Sequence, residues 1–488
     1  MLLLIIVGLL ARSCLAFSNA ADHLHHIISS GSRSSATQST TTTLHSSSTF
    51  CAEADINNVQ EIQHHSDNII STTARGWMES IEQTDGPKHG VGAYTVLRCD
   101  ATFASSTSNH DTQDVKFDCE WKIWGIEFHM DRLSSSFKTI TGNLFGMDQQ
   151  QSLGSFHHNI GGGYGSISSL SGIGSSVHTQ SLFKESKEET KHVINQLLEH
   201  ATRSIYKEIN HSANLQHERL SQTLMLTILW TPSRPVSTKP IVRGHAAFAN
   251  SAQPTANIDE SVLPQPIKAC VAIPKQLTAE ALSVLPRRHG TSLNQQRQVG
   301  ASANSKVSSW CRIRRPLEDP NRYKAPDVGE VLLVRQPDTE RGTNIMSYPN
   351  ENFIYTLEFL EGLISNLFVV YTDGTVRTAP AGLVLPGYAR HLIIQELNER
   401  GLRLDSTKPP TMQDLRDGLW SEVFVTSAIR LVVPVEMIIV PAIGTNMNSS
   451  VLWERRPSDD YPVTKSIRGS IYQRGCSQAT VQHVTIYD

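Results

Sequence analysis

The chain has no CxxC pair, little net charge, and an N-terminal apolar run too short to cross a bilayer. Its seven cysteines, at positions 14, 51, 99, 119, 270, 311 and 476, are widely spaced. That spacing supports neither a metal site nor a redox motif, and it offers no disulfide framework. Free thiols in a reducing compartment are the reading that remains. A formal net charge of −3 gives no electrostatic grip on nucleic acid or on an acidic membrane surface. The run Leu2 to Leu10 is shorter than a bilayer requires. What is present is ordinary for a soluble chain: 488 residues, 39% hydrophobic and 18% charged, enough for two or three domains with their own cores.

Acids are also nearly missing from residues 17–50, which hold ten Ser, six Thr and one acid, Asp22. Just before them, Ser13-Cys14-Leu15-Ala16 places small residues where a signal peptidase reads, and Phe17 follows directly. An apolar run followed by such a tract resembles the bipartite presequence of algae with secondary plastids. Residues 1–50 are therefore expected to be a signal plus plastid transit segment, with plain secretion as the alternative. Residues 51–75 are polar and are expected to belong with the removed or unstructured part.

From there the pattern predicts two domains, at 76–265 and 266–488. In the first, Gly92 to Arg98 reads as a strand, His129 to Ile140 as a helix, 186–209 as an amphipathic helix, and Leu224 to Trp230 as a strand. Residues 141–180, rich in Gly, Ser, Gln and His, read as a flexible insertion. The run Gly161 to Gly165 lacks the preceding strand a phosphate loop needs, and His157 and His158 lack partners at ligand spacing, so no metal site is expected. In the second domain, Glu330 to Val334 and Leu367 to Tyr371 read as strands. Asp373-Gly374 makes a tight hairpin turn, and a helix runs from Tyr388 to Arg400.

The most specific stretch is Glu361-Gly362, the Asn366-led strand to Val370, the Asp373-Gly374 turn, then Leu385-Pro386-Gly387-Tyr388-Ala389-Arg390. It resembles the signature of class-IV aminotransferases, the family of branched-chain and D-amino-acid aminotransferases and aminodeoxychorismate lyase. The resemblance implies an α/β fold of type IV, with a mixed α+β first domain and a larger α/β second domain. It also implies pyridoxal 5′-phosphate (PLP) held in the cleft between them. A protonated pyridine nitrogen needs a carboxylate against it, and Glu361 suits that role, with Asn366 beside it. A phosphate needs backbone N–H groups with favourable dipole sign, and Leu385-Pro386-Gly387 before a helix offers the amides of Tyr388 and Ala389. Leu385 would pack on the ring.

PLP chemistry also needs a lysine. The segment Ser305-Lys306-Val307-Ser308-Ser309-Trp310-Cys311-Arg312 resembles the lysine segment of a plant and algal branch of the family, which assigns Lys306 ahead of Lys268 or Lys275. In the first domain, the resemblance makes Arg132 of His129-Met130-Asp131-Arg132-Leu133 a partner of the phosphate, and turns Tyr94 toward the substrate. Near the C-terminus it makes Ser427 a phosphate hydroxyl. Ala389 and Ala428 stand where relatives carry hydroxyls, which shifts the load to backbone amides, Arg132 and Ser427. The strand Leu224 to Trp230 has no arginine to trap a substrate carboxylate, and Arg234 is the nearest candidate. The expected function is transamination between an amino acid and a 2-keto acid by a homodimer. A PLP lyase of the aminodeoxychorismate type and a non-catalytic scaffold are the alternatives.

Overall fold

The computed structural model describes residues 51–55, 59–61, 73–86, 90–104, 116–153, 176–211, 220–233, 239–249, 263–272, 305–319, 324, 326–335, 357–440, 450–455 and 460–487. The expected targeting segment, the Gly161–Gly165 run, His157, His158, Arg234 and Lys275 lie outside them.

The first half contains β1 (Cys51–Asp55), β2 (Val59–Glu61), α1 (Ala74–Asp85), β3 (Ala93–Ala104), β4 (Lys116–Ile123), α2 (Ile126–Leu153), α3 (Ser176–His211), β5 (Leu220–Pro232) and β6 (Pro240–Phe248). The second half contains β7 (Ile267–Ala272), α4 (Ser309–Ile313), α5 (Arg315–Glu318), β8 (Val328–Arg335), β9 (Glu358–Gly362), β10 (Asn366–Tyr371), β11 (Val376–Arg377) and α6 (Tyr388–Glu399). It ends with β12 (Leu404–Asp405), α7 (Met412–Arg416), β13 (Trp420–Ser427), β14 (Leu431–Val440), β15 (Ser450–Glu454), α8 (Pro462–Ser477) and β16 (Thr480–Tyr487). The mixed α/β architecture expected from the sequence is the one observed.

One sheet has the order β16-β4-β3-β5-β6-β1-β2, and the other β12-β11-β10-β13-β14-β7-β8-β9. In the second, β9 pairs with β10 as well as β8, through Asn366↔Glu361, so the sheet curls back on itself. Both sheets follow the period of two. Along β5, Leu224, Leu226, Ile228 and Trp230 enter the core under α2 and α3, whereas Met225 and Thr227 turn to a cavity between the sheets. Strand β10 is buried on both faces: Leu367, Val369 and Tyr371 enter one core, Phe368 and Val370 another beneath α6 and α8. Fully burying one such side chain contributes about 1.5–3 kcal/mol, so a doubly covered strand is a firm mount for what it carries.

Two sequence expectations differ from the structure. Residues 51–55, grouped with the removed segment, form a strand between β6 and β2, paired with β6 from Cys51↔Ala247 to Asp55↔Arg243. Helix α1, which the sequence reading did not assign, buries its apolar Trp77, Met78 and Ile81. The insertion at 141–180 is partly helical, since α2 runs to Leu153 and α3 begins at Ser176. Residues 480–487, at the end of the expected second domain, pair with β4, from Thr480↔Ile123 to Tyr487↔Lys116.

Candidate active site

A cavity of about 370 Å³ lies between the sheets, and its wall draws on both halves of the chain. Lys306 reaches it from a segment stitched to the start of β3. Tyr94 N–H donates to the Lys306 carbonyl (3.0 Å), and Ser308 N–H donates to the Gly92 carbonyl (2.8 Å). The Gly92 N–H donates to Ser308 Oγ (3.0 Å), and Lys306 N–H to Ser136 Oγ (3.0 Å). With its backbone fixed, the Lys306 side chain holds Nζ 4.9 Å from the centre of the Tyr94 ring. Lys268 is turned elsewhere: its Nζ donates to Asp327 at 2.9 Å, and it does not line the cavity.

Glu361 ends β9 with 2% of its surface exposed. Its Oε2 accepts from Leu385 N–H (3.0 Å) and, at longer range, from Asn366 Nδ2 (3.4 Å). Asn366 Nδ2 also donates to the Leu385 carbonyl (2.8 Å), and Arg132 Nη1 donates to the Pro386 carbonyl (3.0 Å). The turn before α6 is thus held from three sides. Gly387 is required there, because a Cβ would overlap Asn366 Oδ1. Gly387 is also the N-cap and has no side chain to cap the first amides, so Tyr388 and Ala389 open α6 at the cavity wall with the positive end of the dipole.

Behind Arg132 lies a buried polar set. Its Nη2 donates to Thr95 Oγ1 (2.7 Å) and meets His129 Nδ1 at 3.1 Å, while Thr95 Oγ1 is 2.7 Å from the same nitrogen. With Nδ1 accepting from these groups, the ring proton belongs on Nε2, which has no hydrogen-bond partner among the described residues. Burial, then the charges of Arg132 and Lys306, hold the His129 pKa well below its ordinary value, so the ring is neutral. Tyr388 packs on Phe128 and His129, and burial pushes its phenol up to about 12. Ser427 and Ala428 line the cavity on the β13–β14 loop, and Ser427 Oγ accepts from Arg430 N–H (3.2 Å). Arg98 holds that loop by donating to the Ile429 carbonyl (2.7 Å), and Arg468 donates to those of Arg430 (3.1 Å) and Val432 (2.7 Å).

The structure therefore brings Lys306, Arg132, Tyr94, Glu361 and Asn366 to one cavity, together with Leu385, Tyr388, Ala389 and Ser427. Arg390, part of the same motif, faces away and donates to the Ala379 carbonyl (2.8 Å). Sequence reasoning missed other parts of the wall. Arg75 lies in the stretch grouped with the removed segment. Arg430 follows Ser427 with no signal of its own. Of the basic run after Lys306, Arg314 lines the cavity, while Arg312 pairs with Glu82 and Arg315 with Glu79. Glu330, read only as the start of a strand, is buried under the Gly362–Ser365 turn. It accepts from Ser365 Oγ (2.6 Å), Val331 N–H (3.0 Å) and Leu363 N–H (3.2 Å). A lone Glu opening an apolar strand carries no sequence signal for that role.

The wall fits PLP. It combines a buried carboxylate, an uncapped helix N-terminus with an arginine beside it, and a lysine on a fixed backbone. It also presents two buried hydroxyls, Thr227 Oγ1 and Thr426 Oγ1, with no hydrogen-bond partner among the described residues. Such groups are costly unless a ligand meets them.

Residues 301–438 match the model of the amino-transferase class IV family. No curated protein matches the chain. Among solved structures, the branched-chain amino acid aminotransferase of Escherichia coli is 14% identical, with 88% of this chain and 96% of that one covered and a TM-score of 0.41. A hypothetical aminotransferase from Mycobacterium tuberculosis, in PLP-bound form, is 12% identical over 88% of this chain and 99% of that one, at 0.42. The branched-chain aminotransferase of Thermoproteus uzoniensis, solved with norvaline, is 10% identical over 88% and 96%, at 0.39. At these scores the overlap is loose.

Proposed function

We propose, from the premise that the segment 301–438 belongs to the class IV amino-transferase family, that the chain is a PLP-dependent aminotransferase. It would transfer an amino group between an amino acid and a 2-oxo acid. One observation carries this: Lys306, Glu361 and the N-terminus of α6, distant in sequence, line a single cavity. When bound, PLP supplies an electron sink for charge developing at the substrate Cα.

The chain's own residues supply the rest. Glu361 offers a buried carboxylate to a protonated ring nitrogen, and Asn366 and the Leu385 amide hold that carboxylate in place. The first amides of α6 and the Arg132 guanidinium hold the phosphate, and the latter can grip two oxygens. Lys306 Nζ would be the group that takes up and moves the proton of the substrate Cα. The Tyr94 ring beside Nζ limits its movement and helps keep water out. Ser427 adds a hydroxyl near the phosphate seat.

Borohydride reduction of the PLP-loaded protein, followed by peptide mapping, tests the reading. The expected outcome is a pyridoxyl label on Lys306, with turnover in a screen of L- and D-amino acids against 2-oxo acids, and loss of both in Lys306→Ala. A label on Lys268 or Lys275 would move the role to that residue. With no lysine labelled, the enzyme reading falls.

A further inference from the structure

The strand from Leu224 to Trp230 has no arginine for a substrate carboxylate, yet the cavity has arginines that phosphate binding does not use. Contacts order them along the wall. Arg132 is tied to Pro386, next to the start of α6, and Lys306 lies over the Tyr94 ring. The Tyr94 hydroxyl is 4.0 Å from Cys311 Sγ, and the Cys311 carbonyl accepts from Arg75 Nη2 at 2.9 Å. Arg75 Nη2 also meets Glu318 Oε2 at 2.7 Å, and Glu318 Oε1 meets Arg314 Nε at 3.0 Å. Arg75 and Arg314 both line the cavity, on the side of the Tyr94 hydroxyl.

Their carboxylate partners are shared. Glu318 is shared by both guanidiniums. The other carboxylate near Arg75 is Glu79, at 3.5 Å, and it is also held by Arg315. Three guanidiniums therefore share two carboxylates. Arg430 faces Glu330 at 3.5 Å, and the charge of the same carboxylate is also felt by Arg314. Arg315 is largely exposed and outside the cavity, but Arg314 faces the cavity with only 12% of its side chain exposed and shares Glu318 with Arg75, and a buried guanidinium whose carboxylate is shared attracts a further anion. A planar guanidinium suits a carboxylate, which can accept two parallel N–H bonds from it. Met78, Val96 and Met225 complete the wall with apolar surface for the rest of a substrate.

We propose that Arg75 and Arg314, held together on Glu318, form the carboxylate-recognition site of the cavity and take a carboxylate of the amino-acid substrate beyond the Tyr94 hydroxyl. The proposal rests on the aminotransferase reading only for the identity of that substrate. Arg75 belongs to α1, outside the segment that matches the family, so the site is built partly from a helix that the match does not cover.

Calorimetric binding of two unreactive acids, glutarate and 4-methylvalerate, to the PLP-loaded wild type, Arg314→Leu and Arg75→Leu tests it without turnover. Each variant should bind at least one acid about tenfold more weakly or worse, with its far-UV spectrum and PLP content unchanged. A loss with both acids identifies the carboxylate every amino acid carries. A loss confined to glutarate identifies a second, side-chain carboxylate. Affinities equal to wild type in both variants, or a wild type that binds neither acid, overturn the proposal. Arg314 is the more buried, at 12% side-chain exposure against 31% for Arg75, so Arg75→Leu decides the matter if Arg314→Leu misfolds. Weaker acid binding in the variants of a protein whose lysines take no label would leave the carboxylate site standing and remove the aminotransferase reading.

Discussion

On the proposed reading Arg132 would carry more of the phosphate seat than a helix N-terminus with hydroxyl neighbours would demand, because Ala389 and Ala428, which line the same cavity, bring none. Its guanidinium is fixed from behind by Thr95 and His129 and from the side by the Pro386 carbonyl. Arg132→Ala should weaken PLP retention by about 1.5–3 kcal/mol, the range for hydrogen bonds to a charged group. Equilibrium dialysis of PLP from the variant measures it, and an unchanged constant would confine Arg132 to bracing the Pro386 turn. His129 is the positioning residue in this set. Neutral and accepting at Nδ1, it orients Arg132 without adding a second positive charge next to Lys306.

At the scale of elements, the decisive piece is the turn that joins β9–β10 to α6. Glu361 and Asn366 face each other across the closing pair of the second sheet, and both reach the backbone of Leu385. The Gly387 backbone, at φ −76° and ψ 147°, suits any residue, so the glycine is there for space alone. Gly387→Ala should therefore weaken PLP retention about tenfold by displacing Asn366, and cost little in an Asn366→Ala background, where its neighbour's amide is gone. Dissociation constants across the four proteins of that cycle decide it, and additive effects would reject the contact as the cause. This element was legible in sequence because its chemistry is local: Glu-Gly, an Asn-led apolar strand, Asp-Gly and Pro-Gly before a helix each fix geometry within a few residues. Helix α1 was not, since a polar stretch precedes it and its buried face is only Trp77, Met78 and Ile81. Strand β16 was not legible either: only Val484 and Ile486 share a face, and nothing in them names a partner 357 residues upstream, as in the pair Thr480↔Ile123.

For the whole molecule, the cavity depends on two sheets staying packed together, and the stability of the first is tied to pH. Lys306, on the segment leading to α4, is stitched to β3 of the first sheet, so loss of that sheet would remove the lysine's mount as well. Two histidines are buried there. His245 on β6 stacks on Trp77, and burial lowers its pKa to about 4; His129 is lowered in the same sense by burial and the charges beside it. A folded pKa below the unfolded value means that the unfolded chain binds more protons between the two. Stability is then complete above the ordinary histidine range near 6.5, and is lost as the pH falls through the window from about 6.5 to about 4. His245 alone should cost about 2 kcal/mol between pH 7 and pH 5, with His129 adding to it. Urea unfolding of the PLP-free protein at several pH values across that range gives the slope, and His245→Phe should reduce it while leaving the His129 part. A stability that stays level from pH 7 to pH 5 would show that the two rings find other partners or reach water before they take up a proton.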